Sequence, residues 1–136
     1  MIYLDSSVLL ELYLGGARAQ EAQEILDGTE TKVASWLLMV EVPIVLRRAL
    51  HRPRDRTVLR RCLKRFDTDV RSIALVDSLT DVGVRIRSDG RFARCRALDA
   101  VHACTALLLR EWTGHAVRLA TFDGKLAELA AELHMG

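Results

Sequence analysis

Short apolar runs alternate along this chain with longer segments in which apolar residues recur every three or four positions. A short apolar run is typical of a buried strand, whereas the longer period is typical of an amphipathic helix. The predicted strands cover Ile2 to Leu4, Lys32 to Ser35, Ser72 to Val76 and Val117 to Ala120. The predicted helices cover Ser6 to Tyr13, Ala17 to Leu26, Trp36 to Leu50, a stretch after Pro53, Leu79 to Arg87, Leu98 to Trp112 and Leu126 to Leu133.

The alternation of strands with helices predicts the fold class. A helix that connects two strands favours parallel pairing, because the chain must cross one face of the sheet before it returns. We therefore predict an α/β protein, a three-layer α/β/α sandwich with a mainly parallel central sheet of four to five short strands. The chain has 136 residues, half of them apolar, and we expect one domain over residues 1–136.

Composition narrows the class of protein further. No apolar stretch approaches the roughly 18 residues that a membrane-spanning helix needs. The three cysteines show no Cys-x-x-Cys spacing, which argues against a disulfide framework and against a structural zinc site. We expect a cytoplasmic protein that does not associate with a membrane.

Positive charge is concentrated in the middle of the chain. Nine basic residues between positions 47 and 65 are opposed by a single acid, Asp55. Such a run can be an ordinary solvated helix face, but crowded charges of one sign repel one another and favour a polyanionic partner. No aromatic residue interrupts the run, so contact with phosphates is favoured over base stacking. The nine are Arg47, Arg48, Arg52, Arg54, Arg56, Arg60, Arg61, Lys64 and Arg65.

Four acidic residues are candidates for a shared site. Asp5 directly follows the first predicted strand and Asp123 follows the fourth, and the carboxyl ends of parallel strands are where such sheets form their functional crevice. Asp99 stands near the start of a long helix, and Glu41 lies in a strongly apolar helix where a carboxylate needs a partner. Singly, each could serve as a helix cap, a turn residue or a complement to a helix dipole. Together they predict a cluster.

Clustered carboxylates predict a cation. Two of them about 5 Å apart repel by roughly 3 kcal/mol at an effective dielectric constant of about 20. A divalent ion reverses the sign of that interaction, and an all-oxygen ligand set suits Mg²⁺ or Mn²⁺ rather than zinc. Ions held in this way can activate a phosphodiester bond for hydrolysis.

The acidic residues stand within motifs that together resemble the PIN domain and, by the length of the chain, the VapC toxins of bacterial toxin–antitoxin pairs. Each motif is weak alone, but the four are specific in this order and at these intervals. They are Tyr3-Leu4-Asp5-Ser6-Ser7, Glu41 in the helix after the second strand, Leu98-Asp99-Ala100-Val101-His102-Ala103 and Thr121-Phe122-Asp123-Gly124-Lys125-Leu126.

The resemblance implies a set of roles. It implies that Asp5, Glu41, Asp99 and Asp123 form the acidic metal-binding quartet of a Mg²⁺- or Mn²⁺-dependent endoribonuclease. It also implies that Ser6 and Thr121 are hydroxyl residues beside the first and last acids. For His102 we expect a supporting or packing role rather than direct catalysis. The candidates for guiding RNA are Arg47, Arg48, Arg52 and Arg96.

The resemblance further implies an RNA substrate, a homodimer formed through the early helices, and a cognate VapB-like antitoxin that inhibits the toxin. One departure concerns Pro43, which stands two residues after Glu41 and could turn that acid away from the others. The alternative is therefore a catalytically degenerate PIN scaffold that binds RNA or a protein without cutting. Retention of all four acids favours the enzyme.

Overall fold

The computed structural model describes all residues from Met1 to Gly136. Its strands are β1 (Ile2–Leu4), β2 (Lys32–Ser35), β3 (Ala74–Val76) and β4 (Arg118–Ala120). Its helices are α1 (Ser6–Leu14), α2 (Ala19–Asp27), α3 (Leu38–Ala49), α4 (Arg56–Asp69), α5 (Leu79–Ser88), α6 (Ala97–Thr113) and α7 (Gly124–Glu132). Short 3₁₀ segments lie at Pro53–Asp55, Val70–Ser72 and Gly90–Arg94.

The four strands form one sheet in the order β3-β2-β1-β4, and every pairing is parallel. In the centre of the sheet Tyr3 is in register with Val33 on one side and with Leu119 on the other. The predicted α/β/α fold with a parallel sheet is confirmed. Because all strands run the same way, the residues that follow β1 and β4 meet at one edge, which is where the acidic residues are found.

Helices cover both faces of the sheet. Ile2 and Leu4 point into a core shared with α1, α3 and α4, whereas Tyr3 points into the opposite core, shared with α5, α6 and α7. This division follows from the two-residue period of a strand, which sends successive side chains to opposite faces. The centre of the sheet is therefore buried on both sides, as an apolar run in a parallel sheet predicts.

Some helix boundaries differ from the sequence prediction for local reasons. Helix α3 begins at Leu38, two residues after the predicted start at Trp36, and passes through Pro43 to Ala49. Glu41 consequently lies in the first turn of α3. Helix α7 begins at Gly124 rather than at Leu126, because the side chain of Asp123 caps its first turn.

Helix α6 is the most buried element. Nine of its residues are buried, including His102 and Thr105, and it packs on α5, α7 and the sheet. Gly114 ends the helix with a φ of 68°, a left-handed conformation that favours glycine. None of the helices has the length and apolarity that a membrane crossing requires.

Candidate active site

Asp5 is held at the carboxyl end of β1 by a set of hydrogen bonds. The residue is only 4% exposed, and its backbone N–H donates to the carbonyl of Ala120 at 3.0 Å. One carboxylate oxygen, Oδ2, accepts from the backbone N–H of Ser7 at 3.2 Å, from the Ser7 hydroxyl, and from Thr121 Oγ1 at 2.9 Å. The other oxygen, Oδ1, lies 3.7 Å from His102 Nε2. Asp5 thus retains one oxygen that these hydroxyls do not use.

The two hydroxyls that donate to Asp5 also fix the last strand–helix junction. Ser7 Oγ accepts from the backbone N–H of Phe122 at 2.8 Å, and Thr121 Oγ1 accepts from that of Asp123 at 3.0 Å. Since each hydroxyl accepts one backbone bond, its proton is free to point at Asp5. The sequence prediction places Ser6 beside the first acid and Thr121 beside the last. In the structure Thr121 contacts Asp5, and the serine that contacts Asp5 is Ser7.

Glu41 is linked to the sheet through a buried histidine. His102 Nε2 lies 2.6 Å from Glu41 Oε2, and His102 Nδ1 lies 3.0 Å from the hydroxyl of Tyr3. That hydroxyl also accepts from the backbone N–H of Ser35 at 3.0 Å. Because a carboxylate only accepts, the Nε2–H of His102 donates to Glu41 whether the ring is neutral or charged. Pro43 therefore does not turn Glu41 away from the site.

Burial and charge act in opposite directions on His102. The side chain is 1% exposed, and burial alone lowers its pKa. The hydrogen bond to Glu41 and the negative charges of Asp5, Glu41 and Asp99 outweigh burial, so the pKa of His102 is raised. Burial raises the pKa of Tyr3 far above its usual range, and its hydroxyl remains a neutral donor. The chain Tyr3–His102–Glu41 orients a carboxylate without exposing a titrating base to solvent.

Asp99 and Asp123 complete the acidic edge. Asp99 is half-buried in the first turn of α6, and its pKa is raised by burial and then by the charges of Asp123 and Asp5. Asp123 Oδ1 accepts from the backbone N–H of Leu126 at 2.9 Å, which caps α7. The half-buried thiol of Cys95 also has a raised pKa, through burial first and then through Asp99. The structure thus brings all four acids to one edge, close enough for three of them to repel.

The predicted RNA-guiding arginines do not form one group. Arg96 directly precedes α6 and lies close enough to Asp99 for its charge to oppose the rise in pKa of that acid. Arg48 stands beside Glu41 at a cavity of about 210 Å³, which is also lined by Ser6, Val40, Ile44 and Leu98. Arg47 lies instead in a separate cleft between α3 and α4. Arg52 precedes the 3₁₀ segment at Pro53–Asp55, where its backbone N–H donates to Asp55 at 3.3 Å.

The donor chemistry of this edge fits a hard divalent cation, because the acids present carboxylate oxygens and the charge on Asp99 is unfavourable as it stands. The side chains are not arranged as a finished metal site. No group of three or more His, Cys, Asp or Glu side chains is positioned to hold an ion. In particular, Glu41 Oε2 is engaged by His102 and Asp5 Oδ2 by hydroxyls. The edge therefore supplies the ligand types but not a closed coordination shell.

A comparison with protein families agrees with the fold. The sequence profile described as "PIN domain" matches residues 2–132. The chain belongs to the PIN domain family. PIN domains are generally nucleases and generally use divalent metal ions. No curated protein matches the chain.

Two parts of this PIN domain site were missing from the sequence prediction. Tyr3 enters the sequence prediction only as part of a motif. A buried tyrosine hydroxyl usually requires a partner, and that requirement is the signal that could indicate its bond to His102. Ser7 could not be separated from Ser6 by sequence alone, because the two serines are adjacent and both follow Asp5. In the structure Asp5 itself caps α1 and accepts from the backbone N–H of Ser7.

Proposed function

We propose that this PIN domain is a Mg²⁺- or Mn²⁺-dependent endoribonuclease that hydrolyses RNA phosphodiester bonds at the acidic edge. The observation that carries the proposal is the convergence of Asp5, Asp99 and Asp123 at the carboxyl ends of β1 and β4 and the start of α6, where burial and then the charges of Asp123 and Asp5 raise the pKa of Asp99. Repulsion between unneutralised carboxylates destabilises the folded protein, and a bound cation removes that repulsion. Catalysis is the simplest reason for a protein to hold these acids close together.

Each residue has a defined part in this proposal. Asp5 Oδ1, Asp99, Asp123 and Glu41 would hold the ion, and an ion held there supplies Lewis-acid activation of the phosphodiester and of water. Ser7 and Thr121 fix the Asp5 carboxylate by occupying its Oδ2. His102 is a positioning residue, because it restrains Glu41 and is itself restrained by Tyr3.

The substrate must approach as a polyanion. Arg48 lines a cavity with Glu41, and Arg96 lies near Asp99, so their guanidinium groups can bind phosphates that flank the acids. This arrangement lets the acidic edge attract an RNA strand that its own charge would repel. Arg48 and Arg96 contribute to the binding of RNA at the acidic edge and take no part in the hydrolysis.

The test compares Asp99→Asn with Asp67→Asn, which removes the same charge from an exposed position on α4. In the parent and in Asp67→Asn, Mn²⁺ should raise the melting temperature and support cleavage of single-stranded RNA. In Asp99→Asn both effects should be lost. If Asp99→Asn cuts RNA as fast as the parent, the site has been assigned wrongly.

We propose in addition that the chain is a VapC-type toxin, a homodimer inhibited by a VapB-like antitoxin in the cytoplasm. The order of its motifs and its length support this subtype. An open cavity of about 280 Å³, lined by Leu10, Leu14 and Phe122 beside Asp123, offers an apolar surface for such a partner. Growth arrest on expression, relieved by a small protein encoded next to this gene, would support the role, and light scattering measures the dimer.

One observation favours the second candidate, a PIN scaffold that binds RNA without cutting it. The acids form no finished metal site as they stand. The two candidates differ in their response to Mn²⁺. A scaffold would bind RNA equally well with and without Mn²⁺, would show no metal-dependent rise in melting temperature, and would leave the RNA intact.

A further inference from the structure

A cleft between α3 and α4, near the C-terminal end of α3, gathers unneutralised positive charge. Arg47 on α3 and Arg56 and Arg60 on α4 line this cleft, and Leu59 and Leu63 form its apolar part. Its volume is about 270 Å³. We call these five residues the arginine cleft. Its three arginines are all exposed, so their guanidinium groups are available to a ligand.

No carboxylate neutralises the arginine cleft. The ion pairs on α4 and the segment before it join Arg54 to Asp55 and Arg65 to Asp69, and none involves an arginine of the cleft. Arg56 and Arg60 are four residues apart on one helix, where like charges repel by a few tenths of a kcal/mol. A surface that keeps such repulsion without a counter-charge is suited to an external anion.

The arginine cleft is connected to the acidic edge by one helix. Glu41 lies in the first turn of α3, and Arg47 and Arg48 lie in its last turn. Arg48 is seven positions after Glu41, which corresponds to about 10 Å along the helix axis. Arg48 stands at the cavity beside Glu41 while its neighbour Arg47 stands in the cleft. A strand that crosses the acidic edge could therefore continue over Arg48 into the cleft.

We propose that the arginine cleft binds the phosphate backbone of a single-stranded nucleic acid at positions away from the bond that is cut. The identity of the strand as RNA rests on the proposed function, but the binding of phosphates does not. The planar fork of a guanidinium matches phosphate oxygens in a bidentate manner. Because no aromatic residue lines the cleft, bases are not stacked there and the contact is independent of sequence.

An acidic protein segment is the competing ligand, since it would meet the same charge. The connection to the acidic edge favours the nucleic acid, because only a ligand that extends toward Glu41 uses Arg48 and the cleft together. The cleft consequently contributes affinity and orientation to the substrate. Cleavage itself depends on the acids at the other end of α3.

The experiment measures binding of a fluorescein-labelled 20-nucleotide oligouridylate in EDTA, over a range of salt concentrations, so that no cleavage is needed. The cleft variant is Arg47→Gln with Arg60→Gln, which removes one charge from each wall. The control variant is Arg71→Gln with Arg87→Gln, two exposed arginines without ion pairs, one in the 3₁₀ segment after α4 and one on α5 across the sheet. Melting temperatures of both variants verify folding.

The cleft variant should lose affinity and show a salt slope smaller by about 1.4, since each phosphate contact with a single strand contributes about 0.7. The control should match the parent. Equal losses in the two variants, or no binding by the parent, would overturn the proposal. Unchanged binding of RNA by the cleft variant, with weaker binding of a polyglutamate peptide, would assign the cleft to an acidic protein instead. If the parent binds RNA through the cleft but cuts none with Mn²⁺, only the nuclease proposal fails.

Discussion

Removal of the Tyr3 hydroxyl should destabilise the protein far more than the same change at Tyr13. In Tyr3→Phe the ring remains in a fully buried position, but two groups lose their partner, the backbone N–H of Ser35 and Nδ1 of His102. Both Ser35 and His102 are buried, at 3% and 1% exposure. Neither group can therefore turn to water in compensation.

The magnitude follows from these two losses. A buried polar group left without a partner costs about 1 to 3 kcal/mol, so the loss of two partners should lower the free energy of unfolding by about 2 to 6 kcal/mol. For a chain of this size that corresponds to a decrease in melting temperature of roughly 6 to 18 °C. Tyr13→Phe removes one bond to Asp69, and Asp69 keeps its ion pair with Arg65. Its cost should stay within about 1 kcal/mol.

Urea or thermal unfolding of the two variants and the parent, without divalent metal, decides the matter. The reasoning is refuted if Tyr3→Phe is as stable as Tyr13→Phe. In that case the hydrogen bonds that connect Ser35, Tyr3, His102 and Glu41 would contribute nothing to the stability of the fold. A second readout concerns function. With His102 less restrained, Mn²⁺-dependent cleavage by Tyr3→Phe should also slow, whereas cleavage by Tyr13→Phe should not.

Three further predictions concern the acidic edge. Ser7→Ala should lower the free energy of unfolding by about 1 to 3 kcal/mol, because Asp5 loses a donor and the backbone N–H of Phe122 loses an acceptor. Ser6→Ala should change the free energy of unfolding little. If urea titrations give the reverse order, Ser6 is the supporting hydroxyl. Metal-free Asp99→Asn should be more stable than the parent at pH 7, by up to about 1 kcal/mol because the site is partly exposed. A raised carboxyl pKa means that the folded protein gains stability as the pH falls through that pKa, so the advantage of Asp99→Asn should shrink toward acidic pH in thermal melts. The pKa of the Cys95 thiol is raised by burial and then by the charge of Asp99. Mg²⁺ bound at Asp99 should offset that charge and speed alkylation of Cys95, because the thiolate is the reactive form. An unchanged alkylation rate, measured by mass spectrometry, would mean that the ion binds elsewhere.

Most of the fold could be predicted because local patterns and tertiary structure agree. The apolar run at Ile2–Leu4 is a strand because both of its faces are buried. Disagreements occur where one side chain or one turn decides. Residues 70–72 form a 3₁₀ segment, so β3 begins at Ala74 rather than at Ser72. Periodicity does not reveal such turns, since it averages over a longer window.

The acidic edge could be predicted as a set of residues but not as a geometry. Parallel strand ends explain why Asp5 and Asp123 converge, and that argument needs only the strand order. The partners of each carboxylate depend on rotamers and on distant contacts. The link from Glu41 to His102 joins residues 61 positions apart, and no short motif contains both. Resemblance to a family indicated His102 as a supporting residue but did not indicate what it supports.

The bonds around Asp5 affect how a non-cutting variant should be chosen. Its Oδ2 accepts from two hydroxyls and a backbone N–H that together join the first strand–helix turn to the last. Alanine at that position would leave these three donors without an acceptor. Asp99 makes no comparable set of hydrogen bonds between separate turns of the fold. A complex with uncut RNA is therefore better prepared from a protein altered at Asp99, since a loss of cleavage after changing Asp5 would mix lost chemistry with a loosened scaffold.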